Sequence, residues 1–326
     1  MENLAKDAKI FVAGHRGMVG SALVRGLRAR GYKNILTRTR AELDLLDQRS
    51  VHHFLKSERP AYIFVAAAKV GGIHANNTYG ADFIYENLAV ETNIIDGANR
   101  ADIDRLCFLG SSCIYPRDCA QPIKEEYLLT GPLEPTNEPY AIAKIAGVKM
   151  CESYNRQYGR RYISAMPTNL YGPNDNYDLN NGHVLPALIR KTHEARMRGD
   201  TELTVWGSGN PMREFLYVDD LADACLFLME AGVEKGLFNV GTGRDVTIRE
   251  LAKTIMEVVG FEGEIVFDAS KPDGTPRKLL NVDRMKDLGW VATTSLRDGI
   301  VKAYADFVSQ SAEAKVLEER AVAIAS

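Results

Sequence analysis

The chain has no apolar run of the ~18 to 20 residues that a bilayer-spanning helix needs. Its first nine residues, Met1 to Lys9, contain no apolar stretch of the kind that directs secretion. Five cysteines, at 107, 113, 119, 151 and 225, form no CxxC pair and no metal-ligand spacing, so no resident metal is expected. A net charge of −3 over 326 residues argues against nucleic acid or a membrane surface as the main partner. No internal repeat is visible. With 45% hydrophobic and 25% charged residues, the chain reads as a globular protein of one large or two moderate domains. A reducing, cytoplasmic setting fits its cysteine usage.

Two further absences concern the first βα unit. The turn after the first apolar run, Gly14-His15-Arg16-Gly17-Met18-Val19-Gly20, lacks the GxGxxG spacing and is GxxGxxG instead. It still joins a short strand (9–13) to an amphipathic helix (21–30). A strand, a glycine turn and a helix open a dinucleotide-binding fold, where the backbone can approach a pyrophosphate at the helix N-terminus. The second strand, near 34–37, lacks the acidic residue that often holds a ribose 2′-hydroxyl at its end. Thr37-Arg38-Thr39-Arg40 stands there instead. Arg16 and Arg40 are placed to meet a 2′-phosphate, which favours NADP over NAD.

The rest of the first half continues the alternation. Ala61 to Ala68 is a third strand ending in small residues, 71–77 is loop-like, and 82–99 reads as a helix. A fourth strand (105–109) leads into Gly110-Ser111-Ser112-Cys113-Ile114-Tyr115-Pro116. Residues 117–139 hold four prolines and read as a long connection. A helix from Tyr140 to Tyr158 follows, and i,i+4 spacing puts Tyr140 and Lys144 on one face. One such pair in a chain with 14 Tyr is near chance, so its weight comes from its surroundings. The fifth strand (161–166) closes in Pro167-Thr168-Asn169-Leu170-Tyr171-Gly172-Pro173. All these motifs fall at carboxyl ends of strands, where parallel α/β sheets bind ligands.

The fold expected is α/β, a Rossmann-like doubly wound parallel sheet with a smaller C-terminal α/β substrate-binding domain. The boundary falls near 175, giving a cofactor domain (1–175) and a mainly substrate-binding domain (176–326). A segment near 213–240 is expected to return to the first. Beyond the boundary, Asn180, Asn181 and Gly182 precede a helix opening at His183. Leu203 to Gly209 is a strand and turn, and Val218-Asp219-Asp220 opens an Asp-capped helix. Strand, helix and strand follow at 238–243, 247–259 and 264–267. Residues 271–277 form an exposed loop, the last helix runs 296–308, and the tail has no assigned role.

Taken together, the glycine turn, Ser111, and Tyr140 with Lys144 resemble the extended short-chain dehydrogenase/reductases. Trp206-Gly207-Ser208-Gly209, Arg213-Glu214-Phe215 and Val218-Asp219-Asp220 resemble their nucleotide-sugar branch. The three long motifs are similar to those of the GDP-4-keto-6-deoxy-D-mannose epimerase/reductases, over residues 8–308. That resemblance implies an NADPH-dependent enzyme that inverts C3 and C5 of a 4-keto sugar and then reduces C4. It also implies a homodimer, through the helices starting at Tyr140 and near 82–99.

Roles follow by similarity. Cys113 and His183 would be the acid and base of epimerisation, and Ser111 and Tyr140 would hold the keto oxygen. Tyr140 would supply the final proton, with Lys144 acidifying its phenol and binding the nicotinamide ribose. Cofactor contacts would come from Gly14 through Gly20, Arg40, Ala68, Leu109, Gly110, Ser111, Ser112, Pro167, Thr168, Asn169, Leu170 and His183. The GDP-sugar would meet Lys191, Trp206, Arg213 and Asp273. A 4-epimerase needs no separate acid and base. A 4,6-dehydratase would carry acidic residues where Cys113 and Ile114 stand. A silent NADP sensor would need neither Tyr140 nor Lys144.

Overall fold

The computed structural model describes residues 4–179, 182–271 and 273–325. Met1 to Asn3, Asn180, Asn181 and Pro272, all used in the sequence reasoning, lie outside them. In order the first elements are β1 (Ile10–Ala13), α1 (Met18–Ala29), β2 (Ile35–Leu36), α2 (Gln48–Glu58), β3 (Tyr62–Val65), α3 (Ile73–Thr78), α4 (Gly80–Arg100), β4 (Arg105–Leu109), α5 (Glu138–Tyr158) and β5 (Arg161–Pro167). There follow β6 (Asn169–Tyr171), α6 (Val184–Arg198), β7 (Glu202–Trp206), β8 (Met212–Tyr217), α7 (Val218–Glu230) and β9 (Gly236–Val240). The last are β10 (Asp245–Thr247), α8 (Ile248–Val259), β11 (Glu264–Asp268), β12 (Arg277–Lys278), α9 (Asp283–Asp287) and α10 (Leu296–Ala325).

Six strands form one sheet in the order β2-β1-β3-β4-β5-β9, and every pairing is parallel. β1 and β3 are fully buried because helices cover both faces, as a parallel sheet requires. Alternate residues supply the two faces. Ile10, Val12, Phe64 and Cys107 pack with Leu23, Leu27 and Leu226 of α1 and α7. Phe11, Ile63, Leu106 and Phe108 pack with Ile94, Ile95 and Val148 of α4 and α5. Strand order reverses between β1 and β3, which opens a crevice at their carboxyl ends. This is the doubly wound α/β fold expected.

Outside that sheet, β8 pairs with β6, β10 and β12, and β7 pairs with β11. A third core, with Leu185, Ile189, Leu251, Ile255 and Ile300, joins α6, α8 and α10. α8 starts in a capping box, Thr247 and Glu250 each accepting from the other's backbone N–H.

Several local expectations change. α2 appears where no element was read: Val51 and Leu55 are its only buried residues, and its start is set by Asp47, which accepts from Arg49 N and Ser50 N. Residues expected as loop near 71–77 contain the short α3. α7 is not capped by aspartate; its N-cap is Tyr217. Asp220 is 7% exposed and instead accepts from Thr293 N (3.1 Å) and Thr294 N (2.8 Å). Past Val308, where the Ala- and Glu-rich tail is expected to be frayed or helical, α10 continues to Ala325.

Candidate active site

The glycine turn is shaped by contact with the next strand. Gly14 has φ +83°, and a Cβ there would lie 2.7 Å from the backbone of Ala67. A Cβ on Gly20 would collide with the Gly14 carbonyl. Gly17 N donates to Gly14 O at 3.0 Å and is the N-cap of α1 with no side-chain cap. The first amides of α1 therefore remain for an anion. His15, Arg16, Met18 and Val19 surround them, and Ala68 lies just past β3. Beyond β2, Arg38 is taken up by Glu58 (3.2 Å) and the Phe54 ring (5.1 Å). Arg40 is 75% exposed with Asp44 at 4.0 Å, and Arg16 is exposed. These two guanidiniums are available to a 2′-phosphate; the set fits NADP.

β4 and β5 end side by side, Leu109 opposite Ala165. Gly110 N donates to Ala165 O at 3.0 Å, which aims Ser111 and Ser112 out of the sheet edge. Ser111 Oγ accepts from Cys113 N at 3.4 Å and keeps its own proton to donate. Across the edge, Pro167 pairs with Val240. Thr168 Oγ1 and Asn169 Nδ2 both donate to Glu214 O, at 3.2 and 2.8 Å, and Leu170 packs inward.

Tyr140 lies in the first turn of α5, its ring edge-on to Phe83 at 6.2 Å. Lys144 Nζ is 5.8 Å from that ring's centre. The ammonium donates to Leu109 O at 3.1 Å and lies 2.8 Å from Glu91 Oε1. Lysine and glutamate are each 1% exposed. Lys144 is expected to acidify the Tyr140 phenol, but the other surroundings of that phenol push the opposite way. Burial pushes the phenol well up, and Cys113 and Glu91 add to this, against a hydrogen bond from Ser111. Glu91 already answers the lysine's charge.

Cys113 is 7% exposed, and burial raises its thiol; Lys278 and Ser111 pull it back. His183 is the N-cap of α6 and makes no capping bond, so its ring is not spent on the helix. Its side chain keeps solvent access; the protein packed around it lowers its pKa first, and the Lys278 charge lowers it further. A helix N-terminus also disfavours a cation. The surroundings thus favour the thiol form of Cys113 and the neutral imidazole form of His183. Lys278 acts on both.

On the far side, Lys191 Nζ sits 4.5 Å and Lys271 Nζ 5.3 Å from the centre of the half-exposed Trp206 ring. Arg213 donates to Met212 O at 2.8 Å, and its other nitrogens have no hydrogen bond among the described residues. Asp273 accepts from Ser208 N (2.6 Å) and Ser208 Oγ (2.8 Å). Both its oxygens are engaged in holding the turn after β7, a use the sequence did not suggest.

Residues 10–241 match the NAD dependent epimerase/dehydratase family. The chain is 59% identical over 309 residues to the GDP-L-fucose synthase of Escherichia coli (strain K12), covering 92% of this chain and 96% of that one. It is 58% identical to GDP-L-fucose synthase 1 of Arabidopsis thaliana, covering 92% and 93%. The chain belongs to the GDP-L-fucose synthase family. A solved GDP-L-fucose synthetase from Naegleria fowleri bound to NADP superposes with TM-score 0.87 at 29% identity, covering 95% of each chain.

Against that family background, two charged residues stand out that sequence reasoning missed. Lys278 enters because β12 pairs in parallel with β8, setting it beside Arg213. Glu91 enters because α4 lies against α5. Neither carries a motif; a lysine preceded by Arg277 and a glutamate on an amphipathic helix both read as surface residues.

Proposed function

We propose that this chain converts GDP-4-keto-6-deoxy-D-mannose to GDP-L-fucose, inverting C3 and C5 and then reducing C4 with NADPH. What supports this is that Tyr140 interacts with Ser111 and Cys113 and lies 5.8 Å from the Lys144 ammonium at the strand ends, while the Lys278 charge bears on both Cys113 and His183. The 4-keto group acidifies C3–H and C5–H. One member of the Cys113/His183 pair removes such a proton, and the other returns one from the opposite face. Ser111 and Tyr140 hydroxyls stabilise the enolate oxygen meanwhile. NADPH, when bound, supplies the hydride for C4. Tyr140 gives its phenolic proton to the C4 oxygen as that bond forms.

The cradle of Gly14 to Gly20 would hold the pyrophosphate, and Arg16 and Arg40 the 2′-phosphate. Lys144 has one N–H left for the nicotinamide ribose, and Leu109 to Ser112 with Pro167 to Leu170 would line its other side. Lys191 and Arg213 would neutralise the GDP diphosphate, Trp206 would stack on guanine or pack on the sugar, and Asp273 would shape the turn beside it. The division follows: residues 1–175 bind cofactor and 176–326 mainly the GDP-sugar, with α7 and β9 returning to the first sheet. Exposed Tyr85 on α4 and Ile142 on α5 support a homodimer through these helices. Five free cysteines support a reducing compartment, the cytoplasm. The test is to mix the protein with NADPH and GDP-4-keto-6-deoxy-D-mannose; NADPH absorbance should fall, and no oxidation sinks the reading.

A further inference from the structure

Glu91 and Lys144 form an ion pair closed off from solvent, and the catalytic scheme above has no use for its acidic half. Among the described residues its partner is the Lys144 ammonium, 2.8 Å from Oε1, while Oε2 has no hydrogen bond. Room for the carboxylate is kept by Gly147, one turn beyond Lys144. A Cβ there would lie 2.9 Å from Glu91 Oε2 and would collide with the Phe108 ring. Burying a charge so poorly satisfied is costly, and an apolar side chain would fill the same space more favourably. Filling space therefore does not explain a glutamate here.

We infer that Glu91 is a positioning residue for the reaction: it seats the Lys144 ammonium and offsets its charge, so that Tyr140 keeps the proton that ketone reduction consumes. The inference rests on the reductase role proposed above for Tyr140. A reductase must keep a proton on its tyrosine, because the keto oxygen takes that proton as hydride arrives. An unopposed lysine cation beside the phenol would work against this by favouring phenolate. Glu91 cancels that charge while leaving the ammonium in place to bind.

The groups facing the couple are few. On α5 they are Lys144, Tyr140 and, further along, Cys151; on α4, Glu91; on the strand-end loop, Ser111 and Cys113. Burial keeps both thiols protonated. Glu91 and Lys144 are thus the formal charges of this group. Burial pushes the Glu91 carboxyl up and the adjacent ammonium draws it back. Without the carboxylate, Tyr140 loses a negative neighbour that helps hold its proton.

The decisive variant is Glu91→Gln, which keeps the shape and removes the charge. Single-turnover hydride transfer from NADPH is measured against pH in this variant and in the wild type. The alkaline limb should move to lower pH by about one unit or more. A limb that stays in place, with the rate unchanged or uniformly reduced, assigns Glu91 a purely structural role and overturns the inference. Should the variant fail to fold, the wild type decides. Ultraviolet titration, differenced against Tyr140→Phe, should show Tyr140 still protonated above the ordinary phenol value of about 10. A phenolate forming near neutral pH overturns the inference. If wild-type protein oxidises no NADPH at all, the reductase reading fails and takes this one with it.

Discussion

Lys278 on β12 stands opposite Arg213 on β8 in the parallel pairing of the two strands, so both cations point from the same face. Burial and Arg213 depress Lys278, while Cys113 supports its charge. The Lys278 charge lowers the pKa of both the Cys113 thiol and the His183 imidazole. Lys278→Gln should raise the pKa of both. The neutral imidazole is then lost at higher pH as the solution is acidified, and the thiolate becomes harder to reach. Deuterium uptake at C3 and C5 should fall about tenfold at neutral pH, with its acid limb moved up by about one unit. A pH profile that matches wild type would remove Lys278 from the chemistry.

The proposed 2′-phosphate contact falls to exposed Arg16 and to Arg40, which has only a long 4.0 Å approach to Asp44. Arg40→Ala should weaken NADPH binding about 10- to 100-fold and NADH little, since a charge-assisted contact to phosphate is lost. Arg38→Ala is the control. Its guanidinium already serves Glu58 and Phe54, so it should cost stability rather than selectivity. Titration of both nucleotides by fluorescence checks this, and equal losses for the two would count against a 2′-phosphate contact.

The turn at Ser208 is held from 65 residues away by Asp273. Asp273→Ala removes two hydrogen bonds and loosens the segment beside Trp206. Steady-state kinetics should show KM for the GDP-sugar rising about 5- to 30-fold with kcat changed much less. An unchanged KM would mean that the turn plays no part in binding the nucleotide.

Asp175 gives a pH signature apart from catalysis. Burial raises its carboxyl from 3.8 to about 7, Asp306 adds to this, and Asn176 N–H opposes it. Its Oδ2 is buried with no hydrogen-bond partner among the described residues. A group with a raised folded-state pKa binds its proton more tightly when folded. The stability it contributes is full below the unfolded value of about 3.9 and is lost as pH rises through about 7. Asp175→Asn should flatten the decline of melting temperature between about pH 4 and 7 and be the more stable protein at the upper end. Parallel melting curves would contradict the shift.

Much of the fold could be read in the residues themselves. Ile10 to Ala13 and Tyr62 to Val65 are apolar runs bounded by turn residues, and a strand buried on both faces has to look like that. The glycine turn, the Ser111 loop and the Tyr140 helix are local motifs whose meaning survives without coordinates. What was hidden depends on contacts between distant segments. Glu91 is ordinary until α4 meets α5, Lys278 until β12 finds β8, and Asp273 until its loop folds back on Ser208. α2 was missed for another reason: its two buried residues, Val51 and Leu55, make too thin an apolar stripe.

The central claim is that one cleft both inverts carbons and reduces a ketone, and the isotopic content of the product tests it most directly. Wild-type protein, NADPH and GDP-4-keto-6-deoxy-D-mannose are combined in deuterium oxide and the product is examined by NMR. GDP-L-fucose carrying deuterium at C3 and C5, with protium from NADPH at C4, is the predicted result. A C4-reduced sugar that keeps the D configuration and no solvent deuterium would contradict the account.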